Sequence, residues 1–212
     1  QLGRAADSAA AGRTGEAPGQ DDGLDNRYRR AGPGGKAALL SSIARTRGIT
    51  FTANEYSAPR AELVKQVVHG ERVLVSDGRQ INSFGEKFDA ILIDAPCTGL
   101  GALRRRPEVR WRRTLQDLRA LTQLQMELID SAIEALNPGG VLGYATCSPH
   151  LAETSIQISE IKRKHTELKQ IDVEPFLPKK LEGANRDGAM SLWTHKHGTD
   201  AMYLALFQKV QG

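Results

Sequence analysis

Between Ile49 and Thr146 the chain alternates short β-rich apolar runs with segments of helical periodicity, and this alternation restricts the folds open to it. Strands are expected at Ile49–Ala53, Arg72–Val75, Phe88–Ile93 and Val141–Thr146, with two more at Leu168–Val173 and Met202–Gln208. Helices are expected at Lys36–Arg45, Ala58–His69, Thr114–Leu136 and Leu151–Arg163. The third is the clearest. Leu118, Leu121, Leu124, Leu128 and Ala132 recur at helical spacing, and Asn137-Pro138-Gly139-Gly140 stops it. Strands separated by helices pair in parallel, with helices covering both faces of the sheet, so the class is α/β. Ligands of such sheets bind beyond the carboxyl ends of the strands. The residues that follow each strand therefore carry most weight.

With 212 residues, the chain can bury a real core and suits one domain. Residues 1–30 differ from the rest: their only large apolar side chains are Leu2, Leu24 and Tyr28. Such a stretch buries too little surface to offset its ordering entropy, so a disordered or non-native leader is expected, followed by a single domain over 31–212. The net charge of +4 favours a polyanionic partner such as nucleic acid without requiring one. The two cysteines, Cys97 and Cys147, are too few for a disulfide scaffold or a zinc site, and no metal is expected. They read as free thiols in a reducing compartment. There is no apolar run of about 18 residues and no apolar signal core. A cytoplasmic, monomeric chain with no membrane partner is the expectation.

Three consecutive strand ends point to a cofactor. Ala31-Gly32-Pro33-Gly34-Gly35-Lys36 leads straight into a helix, where glycines admit a ligand close to the backbone and the helix terminus offers N–H groups. The next strand is followed by Asn54-Glu55, where a carboxylate can accept both hydroxyls of a ribose. The third is followed by Ser76-Asp77-Gly78, with Asp77 placed to accept from an adenine amino group. Singly, each is ordinary turn chemistry or a solvated acid. Together they suggest an adenosine-containing cofactor. A nicotinamide dinucleotide is disfavoured, since no G-x-G-x-x-G is present to cradle its pyrophosphate.

Both cysteines follow buried-type strands: Asp94-Ala95-Pro96-Cys97-Thr98-Gly99 and Tyr144-Ala145-Thr146-Cys147-Ser148-Pro149. A single such cysteine is most simply a small buried hydrophobe. Two at strand ends on the ligand face argue for chemistry. These two motifs, with the turn Ala31–Lys36, resemble the RNA cytosine-C5 methyltransferase family, especially the bacterial enzymes acting on small-subunit (16S) ribosomal RNA. The likeness runs from Ala31 to the C-terminus, and His197-Gly198-Thr199-Asp200-Ala201-Met202 resembles the stretch leading into that family's last strand.

The resemblance implies a Rossmann-like S-adenosylmethionine-dependent methyltransferase fold, with a mainly parallel sheet, an antiparallel C-terminal strand and helices on both faces. It implies methyl transfer from S-adenosylmethionine to carbon 5 of a cytosine in RNA. Carbon 5 is too poor a nucleophile until a thiolate adds at carbon 6. By resemblance Cys147 is that nucleophile, Cys97 assists release of the adduct, and Asp94 contacts the ring edge near N3 and N4. Pro96 shapes the turn on the substrate side. Ala31, Gly32, Pro33, Gly34, Gly35, Lys36, Glu55, Arg60, Asp77 and Asp94 form the implied cofactor set, with Lys36 positioning either cofactor or charge. A thiol of ordinary pKa near 8.5 must be acidified, and nearby positive charge helps.

Directly after the first cysteine motif, Arg104, Arg105, Arg106, Arg110, Arg112 and Arg113 crowd around Trp111. Arginines pair with phosphates and an indole stacks on a splayed base, so Arg104, Arg105, Arg110 and Trp111 are read as RNA contacts, ribosomal RNA first. A core-anchor role for Trp111 stays open. The family enters its Gly-rich turn from an apolar strand; here the preceding residues are Leu24-Asp25-Asn26-Arg27-Tyr28-Arg29-Arg30. That segment reads as foreign sequence joined at Ala31, by divergence, a shifted frame or an artificial junction. Weak cofactor binding follows as an expectation. The resemblance leads to the expectation that the N-terminal RNA-binding domain common in bacterial relatives is missing and that RNA affinity is low. The same chemistry on transfer RNA, or a non-catalytic RNA- or cofactor-binding remnant, remains an alternative.

Overall fold

The computed structural model describes residues 34–68 and 70–210. The turn residues Ala31, Gly32 and Pro33, the leader, and the anomalous segment before Ala31 lie outside the described residues. The first helix, α1 (Gly35–Arg47), starts beyond Gly34, whose φ of 112° suits glycine, and buries the small face Ala37, Ser41 and Ala44. It stops at Gly48, φ 65°. There the N–H of Gly48 donates to Arg45 and that of Ile49 to Ala44, the paired closure of a Schellman motif. Ile49 is thus used to end the helix. This is why β1 spans Thr52–Glu55 and not the expected Ile49–Ala53.

Beyond it come α2 (Ala58–Lys65), β2 (Arg72–Val75), a 3-10 segment Gly78–Phe84 and β3 (Phe88–Asp94). The short α3 (Val109–Arg112) precedes the 21-residue α4 (Leu115–Ala135). A full capping box fixes the start of α4: Thr114 accepts from the Asp117 N–H and Asp117 accepts from that of Thr114. Its end falls where expected, but no loop follows. The chain enters β4 (Leu136–Thr146) directly, with Asn137–Gly140 inside the strand. The expected helix Leu151–Arg163 is divided. A 3-10 turn at Leu151–Glu153 breaks at Thr154, φ −129° and ψ −105°, before α5 (Ser155–Lys164). Then follow β5 (Leu168–Ile171), β6 (Asn185–Arg186), β7 (Ala189–Leu192), α6 (Thr194–His197) and β8 (Met202–Lys209).

Strand β3 pairs in parallel with β4, and β4 in turn pairs antiparallel with β8. The far edge of β8 is shared, its C-terminal half with β5 and its N-terminal half with β7. Strands β1 and β2 form a separate parallel pair among the described residues. The main core lies between the β3–β4–β8 sheet and helices α4 and α5, built on Ile91, Ile93, Leu128, Ile129, Leu142, Tyr144, Ile161 and Phe207. A second cluster joins α1, β1 and α2 through Ala37, Ala44, Phe51, Ala53, Val64 and Val68. Burying a side chain such as Ile129 or Phe207 is worth about 1.5–3 kcal/mol. Because β3 and β4 are parallel and Asp94 is opposite Ala145, the two cysteine motifs leave the sheet at the same end.

Candidate active site

The residues after β3 and β4 meet. The Sγ atoms of Cys97 and Cys147 are 3.3 Å apart, and both side chains are half-buried. Two backbone links hold the loops in register: Ala95 N–H donates to Ala145 at 2.8 Å, and Gly101 N–H to Cys147 at 2.9 Å. The carbonyl of Gly101 accepts from Ala201, so the stretch leading into β8 closes over the pair.

The Cys97 thiol is pushed well up, first by its hydrogen bond with Cys147, then by burial and by the negative charge of Cys147 and Glu153. A thiol so held stays protonated, and either sulfur can donate in the contact between the two. Among the described residues, Arg105 is a cation that feels the charge of Cys147. Its guanidinium is raised chiefly by its hydrogen bond to Asp200, with a smaller contribution from Cys147. Lys36, the expected candidate for such a charge, instead donates to Asp94 Oδ1 at 2.9 Å. That bond ties the start of α1 to the end of β3, and both residues line a cleft with Ala37, Leu40, Phe51, Ala53 and Leu92.

Around the cleft the expected acids divide. Glu55 ends β1 fully buried; its Oε1 accepts from the Ser57 N–H at 3.2 Å. Its Oε2 lies 3.4 Å from Arg60 Nε and has no hydrogen bond among the described residues. Asp77 is differently occupied. It caps the 3-10 segment Gly78–Phe84 through the Arg79 N–H, and Arg79 also grips both its carboxylate oxygens. The same guanidinium holds the Asp77 carboxyl below its ordinary range. The role given to it from sequence, accepting from an adenine, competes with this pairing.

On the substrate side two expectations change. Arg105 is locked to Asp200 in a two-pronged ion pair, so its guanidinium is already engaged and is not an unengaged phosphate ligand. Pro96 is buried and its carbonyl accepts from Gln125 at 2.8 Å, which makes it a support of the turn and not a contact surface. Arg104 and Arg110 are exposed, as expected of phosphate contacts. Trp111 is 80% exposed, with the Arg110 guanidinium 5.2 Å from its ring centre, which removes the core-anchor alternative. Arg113 donates to the carbonyl of Thr98, and Arg106 pairs with Glu108.

Sequence reading missed the polar layer beneath the cysteines. Glu153, Gln125, Thr98 and Ser148 are all buried there, with the Tyr144 hydroxyl donating into them. Two of them carry a sequence signal, adjacency: Thr98 follows Cys97 and Ser148 follows Cys147.

A parallel β3–β4 pair, an antiparallel last strand, helices packed on the sheet and functional groups at the carboxyl strand ends define a Rossmann-like domain of the S-adenosylmethionine-dependent methyltransferase class. The profile of the family described as 16S rRNA methyltransferase RsmB/F matches residues 24–208, a range that begins ahead of Ala31. The chain belongs to this family. A Mycobacterium tuberculosis protein that carries a provisional methyltransferase name is 47% identical over 182 residues, 85% of this chain and 39% of that one. The ribosomal RNA small subunit methyltransferase B of Vibrio cholerae is 33% identical over 152 residues, 70% of this chain and 35% of that one. The chain thus spans well under half the length of these curated relatives. Among solved structures, NSun6 from Pyrococcus horikoshii with SFG superposes with a TM-score of 0.72 at 27% identity, covering 95% of this chain and 48% of that one.

Proposed function

We propose that residues 31–212 form a catalytic domain that transfers a methyl group from S-adenosylmethionine to carbon 5 of a cytosine in ribosomal RNA through a covalent Cys147 adduct. The observation that carries this reading is the 3.3 Å approach of two sulfurs at the carboxyl ends of adjacent parallel strands. One cysteine would suffice for packing. A pair in which one thiol donates to the other fits a nucleophile with an assistant.

The residues present fit the cofactor at the cleft between α1, β1 and β3. Glu55 offers a buried carboxylate oxygen without a hydrogen bond, as a ribose hydroxyl requires. Gly35 opens α1, with nothing within 4 Å of where a Cβ would stand. Gly34, Gly35 and Lys36 would hold its polar groups, and Arg60 orients Glu55. Bound there, S-adenosylmethionine supplies an electrophilic methyl on a sulfonium.

The chain's own groups do the rest. The Cys147 thiolate adds to C6 of the cytosine, and the C5–C6 π pair moves to C5, which takes the methyl. Loss of the C5 proton to solvent water returns that bond pair to the C5–C6 bond, and the C6–S bond breaks with its pair leaving on the Cys147 sulfur. Cys97, donating to the departing sulfur, favours its release. Asp94, its Oδ1 held by Lys36, contacts the ring edge near N3 and N4. Exposed Trp111, Arg104 and Arg110 receive the RNA.

Labelled methyl transfer to unmodified ribosomal and transfer RNA, with the base identified, tests the proposal. Cys147→Ser should abolish transfer, and Cys97→Ser should accumulate an RNA–protein adduct on a denaturing gel. Label on another base, or unchanged transfer by Cys147→Ser, would overturn it.

A further inference from the structure

The carboxylate of Glu153 sits beneath the cysteine pair, with no solvent exposure and no part in the chemistry above. It ends the 3-10 turn after β4, and donors from the Cys97 loop and from α4 converge on it. Its Oε1 accepts from the Thr98 N–H at 2.8 Å and from Gln125 Nε2 at 3.2 Å, while its Oε2 accepts from Thr98 Oγ1 at 2.6 Å. Thr98 Oγ1 lies 3.2 Å from Ser148 Oγ, and Ser148 in turn accepts from the His150 N–H. Gln125, gripped by the Tyr144 hydroxyl, also donates to the Pro96 carbonyl. The neighbours of Cys97 on both sides, Pro96 and Thr98, and the neighbour of Cys147, Ser148, thus belong to one buried network centred on Glu153.

Buried carboxylates are costly unless fully hydrogen-bonded, and a network of this kind allows few alternative arrangements. We infer that Glu153 is a positioning residue that clamps the Cys97 loop to the Cys147 loop through Thr98 and so fixes the separation of the two sulfurs. The inference deepens the proposed function and rests on it for its kinetic consequence. The clamp itself concerns only the geometry of the two thiols. Glu153→Gln keeps the volume but places an N–H2 among groups that donate. Thr98→Val removes the hydroxyl at nearly constant volume, and Thr98→Ser keeps it. Removing the negative charge near Cys97 also withdraws one of the causes that hold its thiol protonated.

Two readouts on the full chain separate the clamp from the reaction. Phenylarsine oxide bridges two thiols at one arsenic, releasing water, only when both sulfurs reach it together. Its capture rate reads the geometry without RNA or cofactor. Methyl transfer is read alongside, as kcat and KM for RNA and as a rate–pH profile. Glu153→Gln and Thr98→Val should each slow capture and lower kcat about tenfold or more, as small misplacements of reacting groups do, with KM within about threefold. The alkaline limb of the Glu153→Gln profile should move to lower pH, and Thr98→Ser should restore capture and kcat to within about threefold of the unaltered chain. Capture and kcat unchanged in both Glu153→Gln and Thr98→Val would overturn the inference, as would a Thr98→Ser chain no better than Thr98→Val. Should Glu153→Gln fail to fold, the Thr98 pair decides alone. If the unaltered chain methylates no cytosine, the proposed function fails while the capture rates still judge the clamp.

Discussion

Gly101 is where a single methyl group should do most damage to the site. A Cβ built there meets the Ala201 carbonyl oxygen at 2.2 Å and the Cys147 carbonyl oxygen at 2.6 Å. Carbon and oxygen ordinarily approach to about 3.3 Å, so roughly 1 Å of separation must be found. Both obstacles are backbone, and no rotamer change relieves them. Moving them stretches the bonds from Gly101 N–H to Cys147 and from Ala201 N–H to Gly101, each 2.9 Å. Losing both costs about 2 kcal/mol in all, and overpacking adds about 1–3 kcal/mol. The reduced freedom of the unfolded chain returns less than about 1 kcal/mol. Gly101→Ala should therefore destabilise by about 2–5 kcal/mol, a fall in Tm of roughly 5–15 °C for a chain of this size. Calorimetry or circular dichroism measures the melt. Gly198→Ala is the control: its φ of 66° is strained for alanine, but a Cβ there has nothing within 4 Å. It should cost only about 1–2 kcal/mol. A Gly101→Ala chain melting within about 2 °C of the unaltered one would refute the packing argument.

Trp111→Ala should leave the melt unchanged, since the ring is 80% exposed, while weakening RNA binding roughly five- to hundredfold by filter binding or fluorescence. Arg104→Ala and Arg110→Ala should each lower the slope of log affinity against log salt by about 0.7 for a single strand. The Arg105 guanidinium, hydrogen-bonded to Asp200, holds that carboxyl below its ordinary value. A depressed carboxyl pKa contributes stability above its unfolded value, near 4, and loses it as pH falls through the folded value. The Tm gap between the unaltered chain and Arg105→Ala should therefore be full at neutral pH and close in acid; a gap that widens in acid would contradict the pairing. Calorimetry with S-adenosylmethionine is expected to show weak binding because of the residues before Ala31. Ordinary low-micromolar affinity would refute that expectation.

Much of the architecture could be read from local signals. Helical spacing in Leu118–Ala132 and the Thr114–Asp117 box act within a few residues, and they placed α4 closely. The motif placement was legible for a topological reason: parallel strands put their carboxyl ends together wherever the chain runs between them. Boundaries failed where two local signals competed, as at Gly48-Ile49, where the helix closure took the residue assigned to the strand. The β6–β7 hairpin was missed although Asp187-Gly188, with φ of 55° and 79°, is a strong turn dipeptide. Its two-residue strand carries too little alternation to register.

What composition, period and spacing determined alone was the α/β class, the order of the main elements and the emergence of Cys97 and Cys147 on one face. The folded structure alone decided which charges are engaged and which are open. Arg105 finds Asp200 95 positions away, Glu153 finds Thr98 55 positions back, and Asp77 is taken by Arg79 while Trp111 faces solvent. These outcomes depend on which side chains approach within hydrogen-bonding distance in three dimensions. Periodicity records only whether a residue faces the core, and carries no information about the partner waiting there.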